Sequence, residues 1–360
     1  MSSLKEVLTR EFYSDISKIS DLGEIPEGSE PLLINEISEN LDKNILIIAR
    51  DLKRYQQLKD GLEFFLKKDV LLYPQWDCVP YDRISPNKLI TSKRLETLSR
   101  LSNGKNKTKI VLTTIQASCQ RTLSLDEVKN KFISLKPGEV IDINNLVNFF
   151  VSNGYEKTST VREHGEFSVR GGIIDFYSPL NKPIRLDLFG NTIDSIKSFD
   201  LISQRSLELL KEIFIYPASE VILNDKTIEN FRINFNKKFG SQKEKVKIYD
   251  SISEGISYPG MEHWLPFFYN KTGSIFDYID KPIILLDHLY DSSLDDFLET
   301  VNDHFQSRKD YDENKLSKVE NKYFSIEPSN LYQNKEEYNK NLYSRNCIRI
   351  SPFKKPDAIN

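Results

Sequence analysis

Four short apolar runs decide most of what this chain can become. They are Asn44-Ile45-Leu46-Ile47-Ile48-Ala49, Val70-Leu71-Leu72-Tyr73, Ile110-Val111-Leu112-Thr113-Thr114-Ile115 and Pro282-Ile283-Ile284-Leu285-Leu286-Asp287. Each is continuous rather than alternating. A strand buried on both faces needs that pattern, and such strands belong to parallel sheets covered by helices. Helical spacing fills the gaps: Tyr55, Leu58, Leu62 and Phe65 share one face, Lys93 to Leu101 reads as a helix, and Phe297, Val301 and Phe305 line a third. Strand, helix, strand, helix, strand predicts an α/β fold with right-handed crossovers.

From about Thr122 the pattern changes. Lys136-Pro137-Gly138 is a turn, Asp142 is placed to cap a helix carrying Leu146, Val147 and Phe150, and Asn153-Gly154 closes it. Two runs of period two follow. Ile184, Leu186 and Leu188 point one way, so Arg185, Asp187 and Phe189 point the other, and Gly190-Asn191 fits a two-residue turn. Phe167 and Val169 likewise share a face, leaving Ser168 and Arg170 outward. The section predicts a small α+β domain inserted into the first. Its outer face carries two arginines and an aromatic, the residue types that anchor protein partners. The pattern by itself leaves a second reading open: Phe189 packed under a loop, with both arginines solvated.

After Glu212 the α/β style resumes, with Ile213-Phe214-Ile215-Tyr216 as a strand. The tail beyond Arg308 is polar, and its last run, Cys347-Ile348-Arg349-Ile350, is a strand with no evident partner, as if the chain stopped inside a further domain.

Composition excludes several classes. A length of 360 residues suggests two or three domains, and a net charge of -3 argues against a uniformly basic nucleic-acid coat. No apolar run approaches a membrane span. Leu4, Val7, Leu8 and Phe12 fit an amphipathic helix rather than a signal peptide, and the expected compartment is the cytoplasm. Three scattered cysteines form neither a disulfide framework nor a CxxC pair, and four dispersed histidines lack metal-ligand spacing. No nucleophile motif appears. Trp76 and Trp264 read as core anchors. No catalytic, cofactor or metal residue is expected.

Four segments carry a resemblance to a known family. They are Tyr73-Pro74-Gln75-Trp76-Asp77 with Pro80-Tyr81-Asp82, Ser85-Pro86 and Arg94-Leu95-Glu96-Thr97-Leu98; Glu163-His164-Gly165-Glu166-Phe167 with Arg170-Gly171-Gly172-Ile173-Ile174-Asp175; Arg185-Leu186-Asp187-Leu188-Phe189 with Ser198-Phe199-Asp200 and Gln204-Arg205-Ser206; and Gly260-Met261-Glu262-His263-Trp264-Leu265-Pro266. In this order they resemble the N-terminal UvrB-homology module of the bacterial transcription-repair coupling factor family (Mfd).

The resemblance implies a degenerate P-loop, RecA/helicase-like parallel-sheet domain interrupted by the small α+β domain. The expected boundaries are 1–122 and 212–322 for the two parts of the α/β domain, 123–211 for the inserted domain, and 323–360 for the start of a truncated third. UvrB's phosphate loop has no working counterpart: Gly28-Ser29-Glu30-Pro31-Leu32-Leu33 lacks Lys and a second Gly, Pro31 removes a donor, and Glu30 repels phosphate. Asp287-His288 is a faint echo of a magnesium-binding Asp, better read as a cap or a surface residue. The stretch from Asp82 to Lys93 has no aromatics to stack on bases, so UvrB's DNA-gripping hairpin is not expected.

What the family implies is a non-catalytic module of transcription-coupled nucleotide excision repair that recruits UvrA, with Arg170, Arg185 and Phe189 as partner-binding residues. Arg205 and Glu166 are weaker candidates, as ion-pair partners within the sheet. RNA polymerase and DNA would be engaged only through domains not present here, including a helicase motor. The family's C-terminal domain masks the UvrA surface, so this chain is expected to bind UvrA constitutively. The alternatives are a UvrB-like subunit with weak nucleotide or DNA affinity, and an inactive fragment of a split gene.

Overall fold

A computed structural model describes residues 16, 19–102, 109–129, 132–240, 246–313 and 323–354. The amphipathic run from Leu4 to Phe12 lies outside these residues. Strand β1 (Asp21–Leu22) leads into helix α1 (Glu30–Asn40), β2 (Ile45–Ala49), helix α2 (Leu52–Phe65), β3 (Val70–Tyr73), helix α3 (Lys88–Ser102) and β4 (Ile110–Thr114). The chain then runs through β5 (Thr122–Leu123), β6 (Ile133–Leu135), helix α4 (Ile143–Ser152), β7 (Glu156–Lys157), β8 (Glu166–Arg170), β9 (Ile173–Tyr177), β10 (Ile184–Phe189), β11 (Thr192–Phe199), β12 (Ser206–Leu209) and β13 (Ile213–Ile215). It returns with β14 (Thr272–Gly273), β15 (Ile283–Asp287), helix α5 (Tyr290–Glu313) and β16 (Asn346–Ile350).

The main sheet has the order β1-β16-β15-β2-β4-β3, and every pairing in it is parallel. The continuous apolar runs are explained by burial on both faces. On β2, Leu46 and Ile48 enter one core while Ile45, Ile47 and Ala49 enter another, and β15 divides Ile284 and Leu286 from Ile283 and Leu285 in the same way. Strand β16, expected to stand alone, lies between β1 and β15. Tyr323, Phe324, Leu331, Tyr338 and Leu342 join the core that holds Leu46 and Ile48. The segment from Tyr323 to Ile350 therefore packs as part of the α/β domain, and its partners were hidden because parallel neighbours are set by topology rather than by local pattern.

The second sheet has the order β12-β11-β10-β9-β8-β7 and is antiparallel except for β7–β8. Its inner face and α4 share one core, including Phe150, Phe167, Ile174, Phe176, Leu186 and Ile196. Asp142 caps α4, accepting from the N–H groups of Asn144 and Asn145. Ile213, Ile215 and Ala218 belong to this core too, because β13 pairs with β6 rather than with the main sheet.

A buried ion pair ties the return crossing to the α/β domain. Arg94 on α3 and Glu220 are both fully buried; Arg94 Nε donates to Glu220, and its Nη1 donates to the Pro74 carbonyl at 2.9 Å. The guanidinium lies 4.2 Å from the centre of the Tyr73 ring. Trp76 and Trp264 are buried, as expected, and Trp264 donates to the Phe324 carbonyl at 2.8 Å.

Candidate docking face

The outer face of the second sheet follows from its register. Arg185 on β10 stands directly opposite Asp175 on β9. Asp175 stands opposite Ser168 on β8, and Arg170 opposite Ile173. Side chains in these rows share the face away from α4, since successive residues of a strand alternate. Asp175 is fully buried. Its carboxylate takes Arg185 Nε at 2.7 Å and Nη2 at 2.9 Å, a bidentate pair, and also Arg170 Nη2 at 2.6 Å. Arg185 Nη1 donates to the Gln204 carbonyl at 3.0 Å, and the guanidinium lies over Phe199 at 5.0 Å. The Asp175 side-chain bonds hold the Arg185 pKa above its ordinary value.

The two arginines are therefore not equivalent. The Arg170 side chain is 49% exposed and keeps most of its donors toward solvent, whereas that of Arg185 is 13% exposed and spends its fork inside the sheet. The expectation of two freely outward arginines is corrected for Arg185. Burying one carboxylate under two guanidiniums leaves a local surplus of one positive charge; on the same face Lys197, opposite Arg185, pairs diagonally with Asp187 at 2.7 Å. Phe189 ends β10 at the hairpin tip, 84% exposed, and is not packed under a loop. At about 3.3 Å per residue it stands roughly 13 Å from Arg185 along the strand. Gly190 makes the turn with φ +60°.

Ser168, expected outward, is buried, and its hydroxyl donates to the Ser159 carbonyl at 3.2 Å. Among the described residues the Glu166 carboxylate has no ion-pair partner; it accepts from the N–H groups of Arg162 and Glu163 at 2.7 and 2.9 Å, holding the turn before β8. Arg205 is exposed. Asp175 was missed by sequence reasoning. Period-two alternation along β9 is the signal that would have found it, since it turns Asp175 to the face away from Ile174 and Phe176.

The carboxyl ends of the parallel strands are the other place to look for chemistry. Glu30, at the start of α1, accepts from the Gly28 N–H at 2.7 Å and pairs with buried Arg54 of α2. A carboxylate of the chain thus sits on the loop donor that a phosphate would use. Asp287 is neither exposed nor free: it pairs with Arg50 at 3.1 Å and accepts from the Leu289 N–H at 2.9 Å. Glu27, Asp287 and His288 lie close enough to share an ion, but Arg50 already bridges Glu27 at 2.7 Å and Asp287. From Asp82 to Asn87 the chain forms no strand before α3 begins at Lys88, so no hairpin is present there.

Residues 133–221 match the UvrB interaction domain. The chain is 33% identical over 307 residues to a transcription-repair-coupling factor of Rickettsia bellii, covering 85% of this chain and 27% of that protein. It is 32% identical over 319 residues to that of Rickettsia typhi, covering 88% of this chain and 28% of the relative. A Haemophilus influenzae relative of the same description is 32% identical over 327 residues, with 90% and 28% covered. The chain thus spans little more than a quarter of the length of these curated relatives. Among the described residues no helix is long and apolar enough to cross a membrane.

Proposed function

Because the chain is similar over most of its length to transcription-repair-coupling factors and contains a UvrB interaction domain, we propose that it is a UvrA-recruiting module of transcription-coupled nucleotide excision repair. It works in the cytoplasm and performs no chemistry of its own. Arg170 and Phe189 meet UvrA directly, and Arg185 holds the sheet face on which they stand. RNA polymerase and DNA are engaged by parts of the relatives beyond the length matched here.

The observation that carries this reading is Phe189, 84% exposed at the tip of a hairpin whose flanking arginines are fixed by a buried carboxylate. A large aromatic held in water beside oriented cations is costly to keep unless a partner covers it. The self-paired network of Glu27, Glu30, Arg50, Arg54 and Asp287 supports the non-catalytic half. Calorimetric titration of purified UvrA with this chain and with its Arg170→Ala, Arg185→Ala, Phe189→Ala triple variant tests the proposal. Binding by the first and not the second is expected; equal binding by both would remove these residues from the interface.

A further inference from the structure

The outer sheet face does not end at the arginines. Lys197 on β11 stands opposite Arg185, and Leu209 on β12 stands opposite Lys197. Asp175, Arg185, Lys197 and Leu209 thus form one cross-strand row on one face. Leu209 is 72% exposed and Leu207 is 62% exposed; the register shifts between the Lys197–Leu209 and Phe199–Ser206 pairs, so a bulge at Leu207 and Glu208 separates the two leucines.

The backbone shows what lies beyond them. The Leu210 N–H donates to the Ile196 carbonyl at 2.9 Å. That bond makes Lys197 and Leu209 a non-hydrogen-bonded pair, so the N–H and C=O of Leu209 face away from β11. Strand β12 is the edge of its sheet, and all four of its residues are exposed. Edge strands are usually blunted by a charge on the exposed face. Here the charge falls on the opposite face, where Glu208 pairs with Lys182 at 2.9 Å. Strand β12 is left with two exposed leucines and the outward backbone groups of Leu209, a combination that accepts a partner strand or loop.

We infer that the partner-binding face runs from Phe189 across the arginines onto β12, and that the protein taking the arginines also covers Leu207 and Leu209. The inference rests on the UvrA-docking reading above, and names UvrA as the occupant because Leu209 continues the arginine row onto the edge strand.

The test titrates UvrA with the unaltered chain, with Phe189→Ala, and with the double variant Leu207→Ser, Leu209→Ser. Sedimentation of each chain alone and thermal melting accompany the titration. Both leucines are largely exposed, so the double variant should melt as the unaltered chain does; Leu209→Lys serves as a second, single-site version. The expected result is a Kd raised at least tenfold by the double variant and several-fold by Leu209→Lys. If Phe189→Ala weakens binding and the leucine variants do not, the extension onto β12 is overturned while the docking reading stands. If the unaltered chain does not bind UvrA, both fall. A dimer of the chain alone that the double variant abolishes, with UvrA affinity unchanged, would assign the edge to a second copy and overturn the inference.

Discussion

Asp175 faces Arg185 across the β9–β10 ladder and takes two of its N–H donors, at 2.7 and 2.9 Å, from a position with no solvent contact. Arg170 shares the same carboxylate. The charged face is therefore built from inside outward: one buried anion fixes two cations, and only one of these keeps much contact with water. Replacing Asp175 by Asn removes the charge while keeping the shape. The loss expected is about 1.5–3 kcal/mol, the range for hydrogen bonds to charged groups, discounted from a fully buried pair because Arg170 is half in solvent. Urea unfolding of the variant measures it, and UvrA affinity should fall with it as both arginines lose their orientation.

Phe189 and Arg185 should separate binding from stability. Phe189→Ala alters a side chain that is 84% exposed, so melting should stay within a degree or two while UvrA affinity drops by about 1–3 kcal/mol, as for anchor residues. Arg185→Ala should lower both, since it strips the bidentate partner from a buried carboxylate and uncovers Phe199. Parallel melting and titration curves check the split. Equal stability loss in the two variants would contradict the geometry.

How much of this was legible beforehand follows from what each feature depends on. The central parallel strands were readable because burial on both faces writes itself as a continuous apolar run, and α4 because Asp142, Leu146 and Phe150 carry cap and face together. The outward position of Phe189 followed from period two. Asp175 was readable by the same parity but was masked by its place between apolar neighbours. Strands β1, β5, β7 and β14 are two residues long, too short to leave a pattern. The position of β16 beside β15 is a matter of chain topology. Arg54–Glu30 and Arg94–Glu220 join residues 24 and 126 positions apart, and nothing local announces such a pair.

The Arg94–Glu220 pair invites a double-mutant cycle. Glu220→Leu leaves a guanidinium buried without its carboxylate, which should cost about 3–5 kcal/mol. Arg94→Met with Glu220→Leu removes both charges and should recover much of that loss, because the desolvation of each ion disappears with it. Urea unfolding of both singles and the double measures the coupling. Additive single and double losses would show that the two residues do not stabilise one another.

Glu30 and Arg54 make a prediction about ligands. With Glu30 held on the Gly28 N–H and paired to Arg54, the loop presents a carboxylate where a nucleotide phosphate would sit. ATP with magnesium should therefore leave the melting temperature unchanged at concentrations well above those that saturate working nucleotide sites. A concentration-dependent rise would show that the pair opens to admit phosphate.

Glu262 and His263 are adjacent, both buried, and shifted in opposite senses. Burial pushes the Glu262 carboxyl up to about 7, against hydrogen bonds from Ser85 at 2.7 Å and Ser219 at 3.4 Å. Burial also pushes His263 down to about 4. The folded chain binds the Glu262 proton more tightly than the unfolded chain, so that contribution is full below pH 4.5 and is lost as pH rises through about 7. The folded chain refuses the His263 proton, so that contribution is full above pH 6.5 and is lost as pH falls through about 4. Between pH 4.5 and 6.5 the two slopes oppose each other, and the unaltered chain should show a nearly flat stability there. Glu262→Gln deletes the falling slope while keeping an acceptor for the serines. The variant should then lose stability toward acid, with a slope approaching about 1.4 kcal/mol per pH unit from His263 alone. Urea midpoints from pH 4 to 8 measure both curves, and a variant whose profile stays flat would show that His263 is not held neutral in the fold.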